Sequence, residues 1–493
     1  MERLDTDVVV IGSGFSGIAM GIALRAAGRD FVILEKAADI GGTWRDNRYP
    51  GVACDVPSHL YSYSFELNPL WSRAYAPGDE IQDYLLYVVE KYRLRPHVRF
   101  RHTVQHAWYD EKFGVWEVVS ATPDGLLTTL RCRDLVVAVG QLHSPAIPDL
   151  PGLADFRGEV MHTSSWEPGT TVHGKRVGVI GTGATAVQII PELAQDAARL
   201  SVFQRTPTWV MPKIDPEYSD SLAQTYEKRP WLMRAHRAKL KTFAETRSLG
   251  FTKQPLLMQA ASLVARQHLH SAVSDANLRD RLTPAYVMGC KRIPLSDDYY
   301  PAFARDNVEL VTDAITQLDA TGVRTADGAH HELDLLVLAT GFDPRGAYRA
   351  LGVVGARGAS LSHDIDAGLG TYYGVTAADY PNLFFLLGPN TLLGHTSVLL
   401  MMEAQVELVM KLLAERDRRG AAVVAVRPEV VAPFTAEMQQ RSHGSVWETG
   451  CRSWYLNTNG DNYVLWPGSV PEYERRVRRP EMVDYEFTTP PGG

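Results

Sequence analysis

The sequence predicts an α/β fold with two Rossmann-like units and a helical insertion in the second unit. A short β-branched run enters a glycine turn and an apolar helical pattern near residue 7, and the same order recurs near residue 175. Residues 213–285 have a helical pattern and interrupt the second unit. The 493-residue chain is long enough for two or three domains with substantial cores.

Composition places the chain among ordinary globular proteins and disfavours several partners. Hydrophobic residues make up 45% of the chain and charged residues 22%. The net charge of -7 lacks the basic excess of a nucleic-acid-binding protein, so we expect no nucleic-acid partner. No apolar run approaches the roughly 18 residues of a transmembrane helix, and no signal-peptide pattern precedes the first strand. We therefore expect a cytoplasmic protein without integral membrane contact.

The chain has four widely separated cysteines, Cys54, Cys132, Cys290 and Cys451. None belongs to a C-x-x-C pair, the spacing typical of zinc sites and dithiol redox centres. This pattern argues against a disulfide framework and predicts no metal site. It also disfavours a flavin disulfide reductase, because that class requires a redox-active dithiol. A reducing cytoplasm fits the pattern best.

The first Rossmann-like unit begins with a strand over residues 7–11. The glycine turn after this strand contains Gly12, Gly14 and Gly17. In such turns the first glycine makes a tight bend, the second lets the backbone approach a pyrophosphate, and the third lets helix and strand pack closely. The next strand, over residues 30–34, ends at Glu35, where an acidic side chain binds ribose hydroxyls. This unit is therefore predicted to bind FAD or NAD.

The loop over residues 41–55 is too rich in glycine and aromatic residues for a plain helix. It matches the pattern G-G-x-W-x-x-x-x-Y-P-G-x-x-x-D at every fixed position, and here the chain resembles the class B flavoprotein monooxygenases, specifically the type I Baeyer-Villiger monooxygenases. The resemblance implies that the isoalloxazine end of FAD is surrounded by Thr43, Trp44, Asp55 and Tyr61, with Asp55 beside the reactive face. We also predict Val104, on a later strand, as a cofactor contact.

Residues 156–166 carry a second family pattern, F-x-G-x-x-x-H-x-x-x-W, at Phe156, Gly158, His162 and Trp166. The pattern follows a proline-rich linker, and it is the fingerprint of the family that the chain resembles. Related N-oxygenating enzymes typically have Tyr or Phe in place of the tryptophan. Glu167 departs from the Pro or Asp that usually follows. No acid, base and nucleophile come together here, so we interpret His162 as a hinge residue rather than a base.

The second Rossmann-like unit begins with a strand over residues 175–180 and a glycine turn in which alanine takes the third glycine position. Its second strand, over residues 200–204, ends at Arg205 instead of an acid. Because a guanidinium pairs with a ribose 2′-phosphate through two hydrogen bonds, this substitution favours NADPH over NADH. The predicted NADP contacts are Thr182, Gly183, Thr185, Ala186, Gln188, Arg205, Thr206 and Lys291.

Residues 289–294, GCKRIP, place a Lys-Arg pair before a proline turn. By resemblance, Lys291 contacts the NADP phosphate and Arg292 reaches the flavin. Reduced flavin forms a peroxide with oxygen that must stay anionic to attack a carbonyl, and a permanently charged guanidinium stabilises this anion and the following intermediate. The same resemblance makes Asp55 the residue that holds Arg292. It also makes Trp454, in the C-terminal segment, a candidate substrate-pocket residue.

The resemblance spans nearly the whole chain and implies an NADPH- and O2-dependent enzyme that converts a ketone into an ester or lactone. Two alternatives remain, an N- or S-oxygenating flavin monooxygenase and a non-oxygenating redox sensor that binds flavin and NADP. The expected domain division has five segments. These are the first part of the FAD domain (1–150), the first part of the NADP domain (151–212), the helical insertion (213–285), the second part of the NADP domain (286–345) and the second part of the FAD domain (346–493).

Overall fold

The computed structural model describes residues 4–451, 453–457 and 459–490. The strands of this part of the chain are β1 (Thr6–Ile11), β2 (Phe31–Glu35), β3 (Val98–Phe100), β4 (Thr103–Asp110), β5 (Val115–Ala121), β6 (Leu127–Val137), β7 (Glu159–His162), β8 (Arg176–Ile180), β9 (Arg199–Phe203), β10 (Val308–Val311), β11 (Ile315–Asp319), β12 (Gly322–Thr325), β13 (His330–Glu332), β14 (Leu335–Leu338), β15 (Val353–Val354), β16 (Leu383–Phe385), β17 (Val423–Val426) and β18 (Tyr485–Thr488).

Helices alternate with these strands, as expected for an α/β protein. They are α1 (Phe15–Ala26), α2 (Thr43–Asp46), α3 (Gly78–Lys91), α4 (Ala184–Asp196), α5 (Asp220–Lys228), α6 (Pro230–Thr246), α7 (Ser248–Thr252), α8 (Pro255–Ala272), α9 (Ala276–Leu282), α10 (Tyr299–Ala302), α11 (Gly346–Arg349), α12 (Leu361–Ala367), α13 (Val398–Arg418), α14 (Pro428–Ser442) and α15 (Val470–Val477). Short 3-10 turns lie between them, including Val446–Glu448 near the C-terminus.

The first sheet has the strand order β15-β4-β5-β6-β1-β2-β3, with β16 also paired to β6. Strand β1 runs parallel to β2 and β6, whereas β4, β5 and β6 form an antiparallel meander. The successive residues Val8, Val9 and Val10 are fully buried, because both faces of this central strand are covered. Behind the sheet, Arg416 of α13 forms a buried ion pair with Asp134 of β6.

The second sheet is parallel throughout and has the order β10-β9-β8-β14-β7. Helix α4 follows β8 as the crossover, and helices α5 to α10 lie between β9 and β10 in the sequence. Arg237 of α6 reaches the first unit, where its Nη1 donates to the carbonyl oxygens of His59 at 2.8 Å and Leu60 at 3.1 Å. The predicted fold class, with two Rossmann-like units and a helical insertion, is confirmed.

One sequence prediction about the cysteines is wrong, because Cys290 and Cys451 form a disulfide with a Cα–Cα distance of 6.3 Å. The spacing rule detects cysteines that are close in the chain, whereas folding brings together this pair across a separation of 161 residues. Cys54 and Cys132 remain free and buried. In the described residues no helix is long and apolar enough to cross a bilayer, and no metal-binding cluster of His, Cys, Asp and Glu occurs there.

Candidate active site

The first glycine turn has the close backbone approaches of a dinucleotide cradle. Gly12 has a φ of +102°, and a Cβ on it would lie 2.7 Å from the carbonyl oxygen of Ala138. A Cβ on Gly17 would lie 1.9 Å from the carbonyl oxygen of Gly12, so only glycine lets α1 pack this tightly on β1. Gly14 is the N-cap of α1 and provides no side-chain cap, which leaves the first helix N–H groups available to a phosphate. These features fit the pyrophosphate of FAD.

Glu35 lies at the end of β2, beside this turn, and is buried. Its Oε2 accepts hydrogen bonds from the N–H and Oγ of Ser13 at 3.0 and 2.6 Å. Its Oε1 accepts from the N–H of Ala37 at 2.9 Å and lies 3.0 Å from Nη1 of Arg45. The carboxylate therefore holds the glycine turn in place from the position predicted for ribose binding. The sequence reasoning missed Arg45, because its partner lies across the turn.

The second glycine turn repeats this construction. Gly181 has a φ of +127°, and a Cβ on it would lie 2.3 Å from the carbonyl oxygen of Ala339, the equivalent of Ala138 in the first unit. Gly183 is the N-cap of α4 and provides no side-chain cap. Next to it, Thr182 Oγ1 donates to the carbonyl oxygen of Thr206 at 2.7 Å, which ties the turn to the loop after β9. A second dinucleotide fits this cradle.

Thr185 and Ala186, two further predicted NADP contacts, lie in the first helical turn of α4. Thr185 is partly buried, and Ala186 is fully buried in the core behind the turn. The small alanine at the third glycine position therefore allows the close packing of helix on strand that the glycine pattern requires. The two Rossmann-like units thus present two phosphate cradles built from the same local geometry.

The loop over residues 41–55 packs its aromatic residues beside the first cradle. It contains one helical turn, α2, which begins at Thr43 after Gly42 adopts a φ of +54°. Trp44 is buried, and its Nε1 donates to the hydroxyl of Tyr61 at 3.2 Å. Tyr61 in turn packs edge-on against Phe15 at 5.3 Å. Val104 lies in another core cluster, together with residues at the ends of β1 and β2.

Arg292 and Asp55 form a charge pair through three short contacts. Arg292 Nε lies 2.9 Å from Oδ2, and Nη2 lies 2.6 and 2.7 Å from Oδ1 and Oδ2 of Asp55. The neighbouring carboxylate raises the pKa of Arg292 above its ordinary value, so the guanidinium stays charged. Within the described residues its third nitrogen, Nη1, makes no hydrogen bond, and the side chain is 36% exposed. The guanidinium of Arg292 is therefore a fixed cation with one nitrogen, Nη1, free to donate.

Arg205 and Lys291 lie in a pocket of about 800 Å³. Neither side chain has a hydrogen bond or ion pair with another described residue. Burial, and then the charge of Arg205, lower the pKa of Lys291, so the two cations are close enough to repel. Asp280 contributes one carboxylate to the same wall, where Arg281 adds a third cation. The pocket therefore carries an excess of positive charge, which fits a phosphate.

His162 links the end of β7, in the second sheet, to the segment around Gly341. The chain crosses between the two units in this segment and in the segment around Ala146. The N–H of Ser164 donates to its Nδ1 at 3.2 Å, so Nε2 carries the proton and donates to the carbonyl oxygen of Gly341 at 3.1 Å. The crossing segments are themselves paired, since the N–H of Ala146 donates to Gly341 O at 2.9 Å. Burial lowers the pKa of His162, so the imidazole is neutral near pH 7.

The other fingerprint residues lie on either side of His162. Phe156 is buried in one cluster of the second unit and Trp166 in another. Gly158 immediately precedes β7, whose residues pair with β14. The fingerprint therefore forms the edge of the second sheet and does not itself line the charge pair of Arg292.

Gln188 has a position that the sequence did not reveal. Its Oε1 accepts from the hydroxyl of Tyr49 at 2.7 Å, and its Nε2 donates to the carbonyl oxygen of Ala53 at 2.9 Å. The side chain therefore joins α4 to the loop that carries Asp55. Such contacts between remote residues leave no periodic signal in either segment.

Trp454 and Tyr455 pack against each other at 4.7 Å in the C-terminal segment. Trp454 is partly buried, at the edge of a cluster that contains Tyr455 and Trp209. Tyr455 was not predicted, although it is buried and interacts electrostatically with Arg292 and Asp55. Burial raises the pKa of Tyr455 to about 12, so its hydroxyl is protonated. Among the described residues that hydroxyl has no hydrogen-bond partner.

Comparisons with known proteins agree with this geometry. The flavin-binding monooxygenase-like family model matches residues 5–345. A Baeyer-Villiger monooxygenase of Streptomyces coelicolor is 40% identical over 487 residues, 98% of this chain and 93% of the relative. The structure of a steroid monooxygenase bound to NADP has a TM-score of 0.87 and 32% identity, covering 99% of this chain and 100% of that one. A cyclohexanone monooxygenase from Rhodococcus sp. Phi1 bound to NADP+ has a TM-score of 0.88 and 29% identity, covering 98% and 99%.

These findings confirm the predicted family, cofactors and reaction class. The chain belongs to the flavin-binding monooxygenase-like family and is an FAD- and NADPH-dependent monooxygenase of the Baeyer-Villiger type.

Proposed function

We propose that the protein inserts one oxygen atom beside the carbonyl of a small ketone and releases an ester or lactone. The observation that carries this proposal is the Asp55-Arg292 pair, which leaves Nη1 of a permanently charged guanidinium free to donate. When bound, FAD accepts hydride from NADPH and activates dioxygen, and the protein residues position and stabilise.

Arg292 acts on negative charge at the reacting oxygens. Its Nη1 would donate to negative charge on the reacting oxygen and on the carbonyl oxygen of the substrate. Asp55 keeps the guanidinium plane fixed through Nε and Nη2, so little reorganisation is needed during the reaction. A neutral, protonated Tyr455 beside this pair supplies a further donor without adding negative charge.

The remaining site residues divide between the two cofactors. The first cradle with Glu35 and Val104 holds the FAD nucleotide, and Thr43, Trp44 and Tyr61 lie at its isoalloxazine end. The second cradle, from Thr182 to Gln188, holds the NADP pyrophosphate, and Arg205, Thr206 and Lys291 bind its 2′-phosphate. Trp454 borders the substrate. This assignment also divides the chain into FAD segments 1–150 and 346–493, NADP segments 151–212 and 286–345, and the insertion 213–285.

The function is tested by supplying purified, FAD-loaded protein with NADPH, oxygen and a panel of linear, cyclic, aryl and polycyclic ketones, with a sulfide and an amine assayed beside them. We expect NADPH consumption to rise with a ketone and an ester or lactone to appear in equal amount. Sulfoxide or N-oxide as the only product would instead support the N- or S-oxygenating class. NADPH oxidation that no ketone, sulfide or amine accelerates would support a redox sensor. The cyclic ketones come first, because one structural relative is named a cyclohexanone monooxygenase.

We also assign the fingerprint a hinge function between the two units. His162 donates to Gly341, and Gly341 belongs to the paired crossing segments, so movement of one unit relative to the other passes through this contact. Because both ring nitrogens are engaged and the ring is neutral, the side chain supplies no base. Its contribution is therefore the alignment of NADPH with the flavin.

His162→Ala is expected to slow NADPH-driven flavin bleaching by about tenfold or more, because small displacements of reacting groups are costly in rate. The fraction of NADPH lost as hydrogen peroxide should also rise, while FAD remains bound as judged by its absorbance. Ser164→Ala is the matched control, since it removes a partner of Nδ1 and keeps the Nε2 bond to Gly341. If bleaching and peroxide release are unchanged in His162→Ala, the fingerprint is only structural.

A further inference from the structure

The disulfide between Cys290 and Cys451 joins the catalytic Lys-Arg pair to the C-terminal segment. Cys290 immediately precedes Lys291 and Arg292, and it is fully buried. Cys451 follows the 3-10 turn Val446–Glu448, and with Thr449 and Gly450 it forms one wall of the pocket that contains Arg205 and Lys291. The bond thus attaches this wall to the segment that supplies two of the cofactor-site cations.

Residues 449–451 themselves make few direct contacts with the second unit, and the chain is anchored just before them by Val446 and Trp447, which are buried in one cluster with Phe251 and Met258. The hydrogen bonds of residues 449–451 are local, since the N–H and the Oγ1 of Thr449 both donate to the carbonyl oxygen of Val446. Trp454 contributes apolar contacts at the edge of its cluster. The disulfide is therefore the covalent link that holds residues 449–451 against Lys291, and its loss would leave a short segment with mainly local contacts.

We propose that Cys290 and Cys451 form a redox-modifiable site that sets how tightly the protein binds NADP(H). As a disulfide, the pair fixes residues 449–451 as a wall of the phosphate pocket. As two thiols, it releases that wall and lowers the population of the binding-competent pocket. The inference rests on the proposed placement of NADP(H) between Arg205 and Lys291.

The exposure of the two sulfur atoms determines which of them a reductant attacks first. Cys451 is partly exposed in the pocket wall, so a dithiol reductant attacks its Sγ and the Cys290 thiolate leaves. The second thiol of the reductant then displaces Cys451, which yields two protein thiols and one reductant disulfide. In the reverse direction one hydrogen peroxide accepts two electrons from the two thiols, the S–S bond forms, and two water molecules leave.

The other two cysteines do not take part in this exchange. Cys54 and Cys132 are buried and free, and burial raises the pKa of both thiols well above the ordinary value. A thiol of this kind is a poor nucleophile. Redox treatment should therefore change the pair alone, which allows the wild-type protein to serve as its own comparison.

The experiment compares NADP+ binding to the peroxide-oxidised and dithiol-reduced FAD-loaded protein, without turnover. Denatured samples should titrate two thiols when oxidised and four when reduced. We expect the NADP+ Kd to rise about tenfold on reduction, as it does when the competent population falls to about a tenth. Bound NADP+ should in turn shift the thiol–disulfide equilibrium toward the disulfide, because the coupling between the two equilibria is reciprocal.

Point variants distinguish a failure of the disulfide inference from a failure of the proposed NADP(H) placement. Cys451→Ser should bind NADP+ like the reduced wild type and should not respond to reductant, whereas Cys132→Ala should respond as the wild type does. Four thiols in the oxidised protein, or an unchanged Kd on reduction, would overturn the inference. If Arg205→Ala also leaves the Kd unchanged, the placement itself is wrong. If Arg205→Ala weakens binding but reduction does not, only the disulfide inference fails.

Discussion

Arg292→Ala is expected to reduce ester formation by about 10²- to 10³-fold while NADPH still reduces the flavin, since this is the usual effect of removing one donor to a reacting anion. The variant loses the free Nη1 donor and the only side chain that pairs with Asp55 in the described structure. An unpaired carboxylate would then face the developing negative charge and oppose it. Oxygen consumption should continue and end as hydrogen peroxide.

The measurement combines stopped-flow flavin reduction with product and peroxide yields per NADPH. Arg292→Lys is the informative second variant, because it restores a charge but not the planar fork that binds Asp55 through two nitrogens. It should recover part of the lost yield at most. Arg266→Ala, which removes a cation packed 5.2 Å from the ring of Trp209, is the matched control and should keep the wild-type yield. A normal ester yield in Arg292→Ala would refute the assigned role.

The fold could be predicted because its determinants are local in the sequence. Each Rossmann-like unit begins with a strand, a glycine turn and a helix, and the short contacts of Gly12 and Gly181 show why other residues fit poorly there. The run of buried valines in β1 likewise needs no partner to be recognised as a central strand. The helical insertion was also visible, because residues 213–285 have a mostly helical pattern.

The candidate site was predictable only in part. Asp55 and Arg292 were paired through the family resemblance, and the structure brings them into contact across 237 residues. No periodicity marks the bonds of Gln188 to Tyr49 and Ala53, or the approach of Tyr455 to Arg292, because each joins segments from different units. The prediction about the cysteines was wrong for the same reason, since Cys290 and Cys451 lie in separate segments. Chemistry carried by one segment can be recognised, whereas a contact between two segments exists only after folding.

Arg205→Ala is expected to raise the KM for NADPH by about 10- to 100-fold. A hydrogen bond to a charged group contributes about 1.5–3 kcal/mol, and about 1.4 kcal/mol corresponds to a factor of ten. The guanidinium is exposed in its pocket and has no ion pair among the described residues, so the substitution breaks no internal contact there. The KM for NADH, which lacks the 2′-phosphate, should change by less than about twofold.

The comparison between the two nicotinamide nucleotides is decisive because it uses the same variant. An equal loss with NADPH and NADH would show that Arg205 supports the pocket without reading the phosphate. Arg199→Ala is the matched control, because this arginine is on β9 and pairs with Glu309 at 2.6 Å, away from the pocket wall. Lys291 lies in the same pocket as Arg205. Its pKa is lowered by burial and by Arg205, so a bound phosphate relieves this repulsion. The effects of Arg205→Ala and Lys291→Ala should therefore not add, since the two cations share one ligand.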